Sequence, residues 1–283
     1  MRSVLSIQSW VAYGHVGNAS AVFPMQRLGV EVWAIHTVMF SNHTGYGKWR
    51  GPVFPAEQVR ETFEGIADRG VLDRCDGVLS GYMGDAAIGE AILDAAVRVR
   101  AANPAALYCC DPVIGDVGRG VFVRPGIPEF MKSRAVPAAD IVTPNQFELE
   151  YLAGVEIRTL ADAARAADAV HAMGPATILL TSLRHEALAK DRIAMMVSHR
   201  GRRFAVETPM LDVSVNGAGD AIAALFFVHF GRTRDPKAAL ENATASIWGL
   251  LKRTEEAGTR EIQTVAAQDE FVAPSRRFDA VAV

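Results

Sequence analysis

The four residues Gly217-Ala218-Gly219-Asp220 are the part of this sequence best suited to chemistry. Glycines allow backbone torsions that other residues avoid, and the apolar run after them has helical character. A helix start leaves N–H groups unpaired and carries partial positive charge, so it suits phosphate or another anion. A carboxylate beside an anion repels it unless it has a task, and proton abstraction next to a transferring phosphoryl group is such a task. An ordinary glycine turn capped by Asp220 fits equally well.

Polar residues also stand where several apolar, strand-like runs end. They are Ser9, Asp111, Thr143, Asn145 and Thr181. In a parallel α/β sheet, ligands bind outside the carboxyl ends of the strands, so such residues converge. Asn145 and Glu148 lie three apart at a predicted helix start and can face one site. Glu148 either helps to hold Mg²⁺ through water or is only the acidic residue of a first helical turn.

The hydrophobic pattern alternates between strands and helices along the chain. Strands are predicted over 4–8, 30–35, 77–80, 106–110, 141–143 and 177–181. Helices are predicted over 16–28, 57–68, 85–102, 146–152, 160–173, 220–231 and 236–252. This alternation indicates an α/β fold with a mostly parallel, doubly wound sheet. The runs 192–197 and 203–206 predict a small antiparallel hairpin at one edge. No linker divides residues 1–283, so we expect a single domain.

The composition argues against several classes of protein. A formal net charge of −3 without a Lys/Arg-rich run does not fit a nucleic-acid partner. No stretch approaches the roughly 20 apolar residues of a membrane span, and the N-terminus becomes polar too quickly for a signal peptide. Three cysteines, two of them adjacent, fit a reducing compartment rather than a disulfide framework. We therefore expect a soluble, cytoplasmic protein without nucleic-acid or membrane partners.

The polar segment 41–55 contains aromatic and hydrogen-bonding side chains. This content favours a loop that covers a ligand, with a mobile surface connection as the alternative. Neither the motif G-x-x-x-x-G-K-[ST] nor a strand–G-x-G-x-x-G–helix unit is present. A nucleotide would therefore bind by another architecture.

The order Asn145-x-x-Glu148 followed by Gly217-Ala218-Gly219-Asp220 resembles the ribokinase-like superfamily of small-molecule kinases. Further segments resemble the pyridoxal kinases within it; these are 7–9, 13–18, 40–46, 80–82, 111–116 and 143–148. The resemblance implies a ribokinase-like fold and ATP-dependent phosphorylation of pyridoxal and related B6 vitamers. It also implies a homodimer, Mg²⁺, and a monovalent cation such as K⁺ near the nucleotide.

The resemblance assigns roles to individual residues of this chain. Asp220 would be the general base that takes the proton from the 5′-hydroxymethyl group of pyridoxal. The amides of Gly217, Ala218 and Gly219 would stabilise charge on the transferring γ-phosphoryl group. The residues implied for the pyridoxal pocket are Ser9, Val16, His43, Thr44, Gly45 and Tyr82.

On the ATP side, Asp111 and Glu148 would organise Mg²⁺ and the phosphates. The other residues implied for ATP are Asp116, Thr143, Asn145, Thr181, Thr208, Pro209, Met210 and Leu211. Among these, Asp116 opens a glycine-containing flap over 116–123, and 208–211 would lie near the base. Some bacterial pyridoxal kinases have Lys at the position of Thr181, and Arg119 is a candidate for supplying phosphate charge instead.

Three alternatives to a pyridoxal kinase follow from the same residues. A hydroxymethylpyrimidine kinase shares the superfamily loop and acts on a similar flat ring. A non-catalytic pyridoxal-binding protein could use the same fold, because Thr181 departs from the pattern of some relatives. A nucleotide-sensing module would bind ATP without any effect of pyridoxal.

Overall fold

The computed structural model describes residues 1–283 as alternating strands and helices. The strands are β1 (Ser3–Val11), β2 (Glu31–Phe40), β3 (Gly77–Ser80), β4 (Leu107–Cys110), β5 (Gly115–Asp116), β6 (Gly120–Val121), β7 (Ile141–Val142), β8 (Thr177–Leu183), β9 (Arg192–His199), β10 (Arg202–Pro209) and β11 (Val281–Ala282). The helices are α1 (Asn18–Arg27), α2 (Ala56–Ala67), α3 (Ala86–Ala102), α4 (Ile127–Phe130), α5 (Val136–Ala138), α6 (Gln146–Ala153), α7 (Leu160–His171), α8 (Ala218–Thr233) and α9 (Pro236–Ala257). None of these helices has the length and hydropathy that crossing a bilayer requires.

Nine strands form one sheet in the order β11-β10-β9-β8-β7-β4-β3-β1-β2. From β2 to β8 every neighbouring pair is parallel, whereas β9, β10 and β11 run antiparallel to their neighbours. The mostly parallel sheet and the β9–β10 hairpin are therefore confirmed. The hairpin is not the outermost element, because β11 pairs with β10 through Phe204 and Ala282. The sheet draws strands from both ends of the chain, and a single domain over residues 1–283 stays a prediction.

Strand β8 shows why the sheet is buried on both faces. Its side chains are all buried except that of Ser182. Ile178 and Leu180 face a core of 40 residues, whereas Leu179 faces a second core of 27 residues. Such a continuous apolar run is typical of a parallel strand covered by helices on both sides.

The helices divide between these two cores. The larger core receives Phe63 from α2, Ile92 from α3 and Leu149 from α6. The smaller core receives Leu225 from α8 and Leu240 from α9. The chain is thus doubly wound, and the strand ends at one edge of the sheet remain free of either core.

Several strands run longer than predicted, and this moves predicted site residues into the sheet. β1 extends to Val11 and β8 extends to Leu183, so Ser9 and Thr181 lie within strands rather than at their ends. β1 gains its extra length from pairing with β2, where Val11 lies beside Phe40. In β8 the pairing with β9 becomes irregular after Leu180, and Ser182 has a φ of 54°.

Candidate active site

A cavity of about 760 Å³ opens at the carboxyl ends of the parallel strands. The predicted residues that line it are Ser9, Val16, His43, Thr44, Tyr82, Asp111, Asp116, Thr143, Asn145, Glu148, Thr181, Gly217, Ala218, Gly219 and Asp220. They come from strand ends, from the loops after β1 and β2, from the β5–β6 hairpin and from the start of α8. Parallel strands that end at one edge explain why residues so far apart in sequence meet here.

Helix α8 begins in the wall of this cavity, directly after a glycine turn. Gly217 has a φ of 87°, and a Cβ there would collide with the carbonyl oxygen of His15. Ser20 holds the turn by donating a hydrogen bond of 2.7 Å to the carbonyl oxygen of Gly217. A Cβ at Gly219, in contrast, would meet no atom within 4 Å. The turn is thus packed tightly at its start and leaves open space beside Gly219, where an anion could approach the helix N-terminus.

The carboxyl group of Asp220 is half-buried one residue further along α8. Burial raises the pKa of Asp220 to about 6, and hydrogen bonds from the backbone N–H groups of Gly17 and of Asp220 itself oppose that increase. A general base works best when its pKa lies near the operating pH. Asp220 therefore ionises in the range where it can accept a proton from a bound hydroxyl group.

Asp111 follows β4 and shares the cavity with Asp220. Burial and then the charge of Asp220 raise the pKa of Asp111 to about 7, although the Thr143 hydroxyl donates a hydrogen bond of 2.8 Å to its Oδ1. Burial and the charge of Asp111 also raise the pKa of Glu148 well above its ordinary value. Crowded carboxyl groups of this kind favour either protons or a cation between them.

The carboxylate of Glu148 accepts hydrogen bonds from backbone N–H groups. Its Oε1 accepts a hydrogen bond of 2.9 Å from the N–H of Ile114, and its Oε2 accepts one of 2.9 Å from Asn145. The Asn145 side chain accepts in turn from the N–H of Glu148, which completes a capping box at the start of α6. Glu148 is therefore the acid of a first helical turn, and its direct contact with a metal is not required by this geometry.

No group of three or more His, Cys, Asp or Glu side chains is arranged to hold a metal ion. Mg²⁺ prefers oxygen ligands and usually keeps several waters alongside one or two carboxylates and substrate phosphates. The buried carboxyl groups of Asp111 and Glu148 suit this sparse set of ligands. Asp111 offers the less occupied carboxylate, because only Thr143 donates a side-chain hydrogen bond to it.

One end of the cavity is largely apolar. The predicted residues Val16 and Tyr82 lie beside Val11, Val38, Phe40, Trp49 and Val53. Trp49 and Val53 belong to the segment 41–55 that was predicted to cover a ligand. Val38 and Phe40 were missed because β2 was expected to end at 35, whereas it continues to Phe40. The apolar run Val38-Met39-Phe40 is the signal that could have extended it.

His43 shapes the turn that follows β2. Its Nδ1 accepts a hydrogen bond of 2.9 Å from the N–H of Gly45 and so caps the turn Thr44–Tyr46. Thr44 lines the cavity from this turn, whereas the predicted residue Gly45 does not line it. Burial and then the charge of Arg119 hold the pKa of His43 below its usual value, while the charge of Glu261 opposes this.

The β5–β6 hairpin and the residues after it bring two guanidinium groups to the cavity. Arg119 and Arg124 both line it, together with Phe122. The Arg119 guanidinium lies 5.0 Å from the centre of the Phe122 ring. Burial raises the pKa of Tyr82, and the charge of Arg124 partly opposes that increase. Arg124 was not predicted as a site residue. The nearest feature of the sequence that pointed to this part of the cavity was the glycine and arginine cluster at 118–120.

The segment Thr208, Pro209, Met210 and Leu211 does not line the cavity. Thr208 and Pro209 belong to β10, which β9 separates from β8. The indole Nε1 of Trp248 donates a hydrogen bond of 3.2 Å to the carbonyl oxygen of Pro209. The sheet order thus keeps this segment away from the cavity, and its contact with a nucleotide base stays a prediction.

Comparison with known proteins identifies the family. A family model described as phosphomethylpyrimidine kinase matches residues 26–265. A pyridoxal kinase PdxY of Granulibacter bethesdensis is 61% identical over 280 residues, which cover 98% of each chain. The pyridoxal kinase PdxY of Deinococcus radiodurans is 55% identical and covers 99% of this chain and 96% of its own.

Solved structures agree with the sequence comparison. The pyridoxal kinase of Leishmania donovani in complex with ADP and pyridoxamine is 31% identical and has a TM-score of 0.93, with 100% of both chains covered. That of Trypanosoma brucei is 30% identical with a TM-score of 0.88, covering 100% of this chain and 99% of its own. The matching family model, the similarity to pyridoxal kinases over nearly the full length and the shared fold show that this chain belongs to the phosphomethylpyrimidine kinase family, among its pyridoxal kinases.

Proposed function

We propose that this kinase transfers the γ-phosphoryl group of ATP to the 5′-hydroxyl of pyridoxal, with Asp220 as general base. The pyridoxal kinases among its relatives and the ADP and pyridoxamine bound by the Leishmania donovani enzyme support these substrates. The observation that carries the assignment is the place of Asp220. Its carboxyl group lies at the start of α8, in the cavity that holds both the apolar end and the buried carboxyl groups, with a pKa of about 6.

The chemistry requires one proton transfer and one displacement at phosphorus. The ionised Asp220 accepts the hydroxymethyl proton while the freed oxygen forms a bond to the γ-phosphorus. The bond between that phosphorus and the β,γ-bridging oxygen breaks, and ADP leaves. The N–H groups of Gly217, Ala218 and Gly219 stabilise the negative charge on the transferring group, so that positioning and electrostatics supply most of the catalysis.

Groups on the other side of the cavity receive the nucleotide phosphates. Asp111 and Thr143 are joined by a hydrogen bond, and Thr181 lies nearby in the buried wall. Bound Mg²⁺ would neutralise phosphate charge from a site that Asp111 and water can provide. Arg119 and Arg124 bring the positive charge that Thr181 cannot supply.

Substitution of Asp220 by Asn tests the assignment of the base. Asn preserves size and polarity but accepts no proton, so we expect kcat to fall by about 10²- to 10⁴-fold. Dissociation constants for ATP and pyridoxal should change little. In the unaltered enzyme, kcat/KM should fall with decreasing pH below about 6, since protonated Asp220 is inactive. An Asp220→Asn enzyme that forms pyridoxal 5′-phosphate at the normal rate contradicts the assignment, and Asp73→Asn on the surface serves as the control.

A hydroxymethylpyrimidine kinase is the second candidate, because the matching family model carries the name of a phosphomethylpyrimidine kinase. The two functions differ in the flat ring that occupies the apolar end of the cavity. Measurement of kcat/KM for pyridoxal, pyridoxine, pyridoxamine and hydroxymethylpyrimidine decides between them. We expect the B6 vitamers to be preferred, as the full-length relatives are pyridoxal kinases.

Three further features belong to the proposal. A homodimer, a monovalent cation such as K⁺ beside the nucleotide and a cytoplasmic location follow from the resemblance and from the composition. Formation of pyridoxal 5′-phosphate, followed by absorbance with and without K⁺, tests the cation. Binding of pyridoxal without product would instead favour a non-catalytic binding protein.

A further inference from the structure

Glu261 does not line the cavity itself, but it connects three segments that surround the cavity. The hydroxyl group of Tyr46 donates a hydrogen bond of 2.7 Å to Oε1 of Glu261. The backbone N–H of His15 donates one of 3.1 Å to Oε2. The backbone of Glu261 also forms a parallel bridge with Asn216, the residue before the glycine turn of α8. The Glu261 side chain therefore joins the loop after β2 to the loop after β1, and its backbone ties both to the approach to α8.

The residues around the Glu261 carboxylate pack closely against it and against the Tyr46 ring. A Cβ at Gly14 would collide with the carboxylate of Glu261, and Gly14 has a φ of 89°. The guanidinium of Arg260 lies 5.1 Å from the centre of the Tyr46 ring, and the Tyr13 ring meets the same ring edge-on at 6.2 Å. Tyr46 is thus held at its hydroxyl and at its ring.

Tyr46 belongs to the same turn as Thr44, and this turn reaches the apolar end of the cavity. His43, Thr44 and Trp49 line the cavity from the loop 41–55, whereas Tyr46 itself is exposed. We propose that Glu261 is a positioning residue that holds the loop 41–55 over the pyridoxal end of the cavity through the Tyr46 hydroxyl. This inference rests on the proposed function, since it assigns pyridoxal to that end.

Preorganisation explains why such a contact would affect one substrate. A loop that is already closed has less conformational freedom to lose when its ligand binds. A hydrogen bond from a hydroxyl group to a carboxylate is also stronger than one between neutral groups. The phosphate-side residues Asp111, Thr143 and Thr181 come from or follow other strands, so their positions do not depend on Tyr46. Loss of the contact should therefore raise KM for pyridoxal and leave KM for ATP unchanged.

Three substitutions separate this role from a general effect on folding. Tyr46→Phe and Glu261→Ala should each raise KM for pyridoxal about tenfold, as expected for a lost hydrogen bond to a charged group. Glu261→Gln should keep KM for pyridoxal within about threefold of that of the unaltered enzyme. In this variant the amide oxygen can accept a hydrogen bond from His15 while the amide NH₂ donates one to Tyr46. The double variant should bind no more weakly than Glu261→Ala alone if the two side chains act through one contact. Glu156→Ala, which removes only an exposed pair with Arg158, is the control.

Amide hydrogen exchange supplies a readout that does not depend on turnover. Exchange within 41–55 should become faster in Tyr46→Phe and Glu261→Ala, with the β-sheet amides unaffected. If Glu261→Ala fails to fold, Tyr46→Phe decides alone. The proposal is overturned if exchange in 41–55 is unchanged, or if KM for ATP rises as much as KM for pyridoxal. An enzyme without any pyridoxal kinase activity refutes the proposed function, and the exchange data still judge the loop contact.

Discussion

Asp111 and Asp220 line the same cavity, where burial and then the charge of Asp220 raise the pKa of Asp111 to about 7. Two acids this close favour a shared cation or proton over two bare negative charges. This crowding disfavours the ionised form of Asp111 in the empty enzyme at neutral pH, and the Mg²⁺ and phosphate proposed above would relieve it. A site kept at the cost of folding stability is a common feature of enzymes.

Substitution of Asp111 by Asn should therefore stabilise the empty protein in a pH-dependent manner. In the unfolded chain Asp111 ionises near pH 4, whereas in the folded protein it ionises near pH 7. As pH rises, the unfolded chain therefore loses the Asp111 proton at a lower pH than the folded protein does. The stability that protonated Asp111 contributes is complete below about pH 4 and is lost as pH rises through 7. We expect the Tm of Asp111→Asn, relative to the unaltered protein, to be higher at pH 8 than at pH 5.

Thermal melts of the empty protein at pH 5 and pH 8 measure this difference. Asp73→Asn, on an exposed side chain, should show no pH-dependent change in relative Tm. A relative Tm of Asp111→Asn that is equal at both pH values would mean that burial does not penalise the ionised form. Activity should fall in this variant despite the gain in stability.

The two glycines that flank Ala218 should respond differently to alanine. At Gly217 the positive φ and the nearby His15 carbonyl oxygen leave no room for a Cβ, so Gly217→Ala should lower Tm and disturb the start of α8. At Gly219 a Cβ would enter open space, so Gly219→Ala should fold with a Tm within about 2 °C of the unaltered protein. Its methyl group would nevertheless stand where phosphate approaches, and kcat/KM should fall by about tenfold or more.

Circular dichroism melts and steady-state kinetics on both variants distinguish these roles. Gly231→Ala is an unsuitable control because its Cβ would meet Met1, whereas Gly65→Ala in α2 has free space around it. Normal kinetics in Gly219→Ala would show that no phosphate group approaches this amide.

The sequence predicted the elements whose pattern is local. Buried strands such as β3 and β8 consist of apolar runs, and Gly217 and Gly219 indicate the turn before α8. β11 escaped prediction because both its residues are exposed and only pairing with β10 orders them. The short hairpin of β5 and β6 has the same difficulty, since two paired residues on each side leave no periodic signal.

Site residues likewise divide into those that a local sequence pattern indicates and those that only contacts between distant segments bring to the site. Asp220 follows a glycine turn and Asp111 follows an apolar strand, so their places beside the cavity could be predicted from the chain itself. Glu261 could not be inferred, because its partner Tyr46 lies 215 residues away. Arg124 likewise reaches the cavity only through the course of the chain after the hairpin. Contacts between distant segments are set by the folded structure and leave no spacing to detect.

Arg119 is a candidate source of positive charge for the ATP phosphates. It lines the cavity from the β5–β6 hairpin, and Thr181 lines the same cavity from β8. If Arg119 supplies charge to the ATP phosphates, Arg119→Ala should raise KM for ATP about tenfold, the loss expected for a hydrogen bond to a charged group. Adding Thr181→Lys should recover part of that loss, because an ammonium group would then enter the same cavity. Steady-state kinetics at low and high salt measure both effects, with Arg165→Ala on α7 as the control. Equal KM values for ATP in Arg119→Ala and the unaltered enzyme would leave Arg124 as the cation that serves the phosphates.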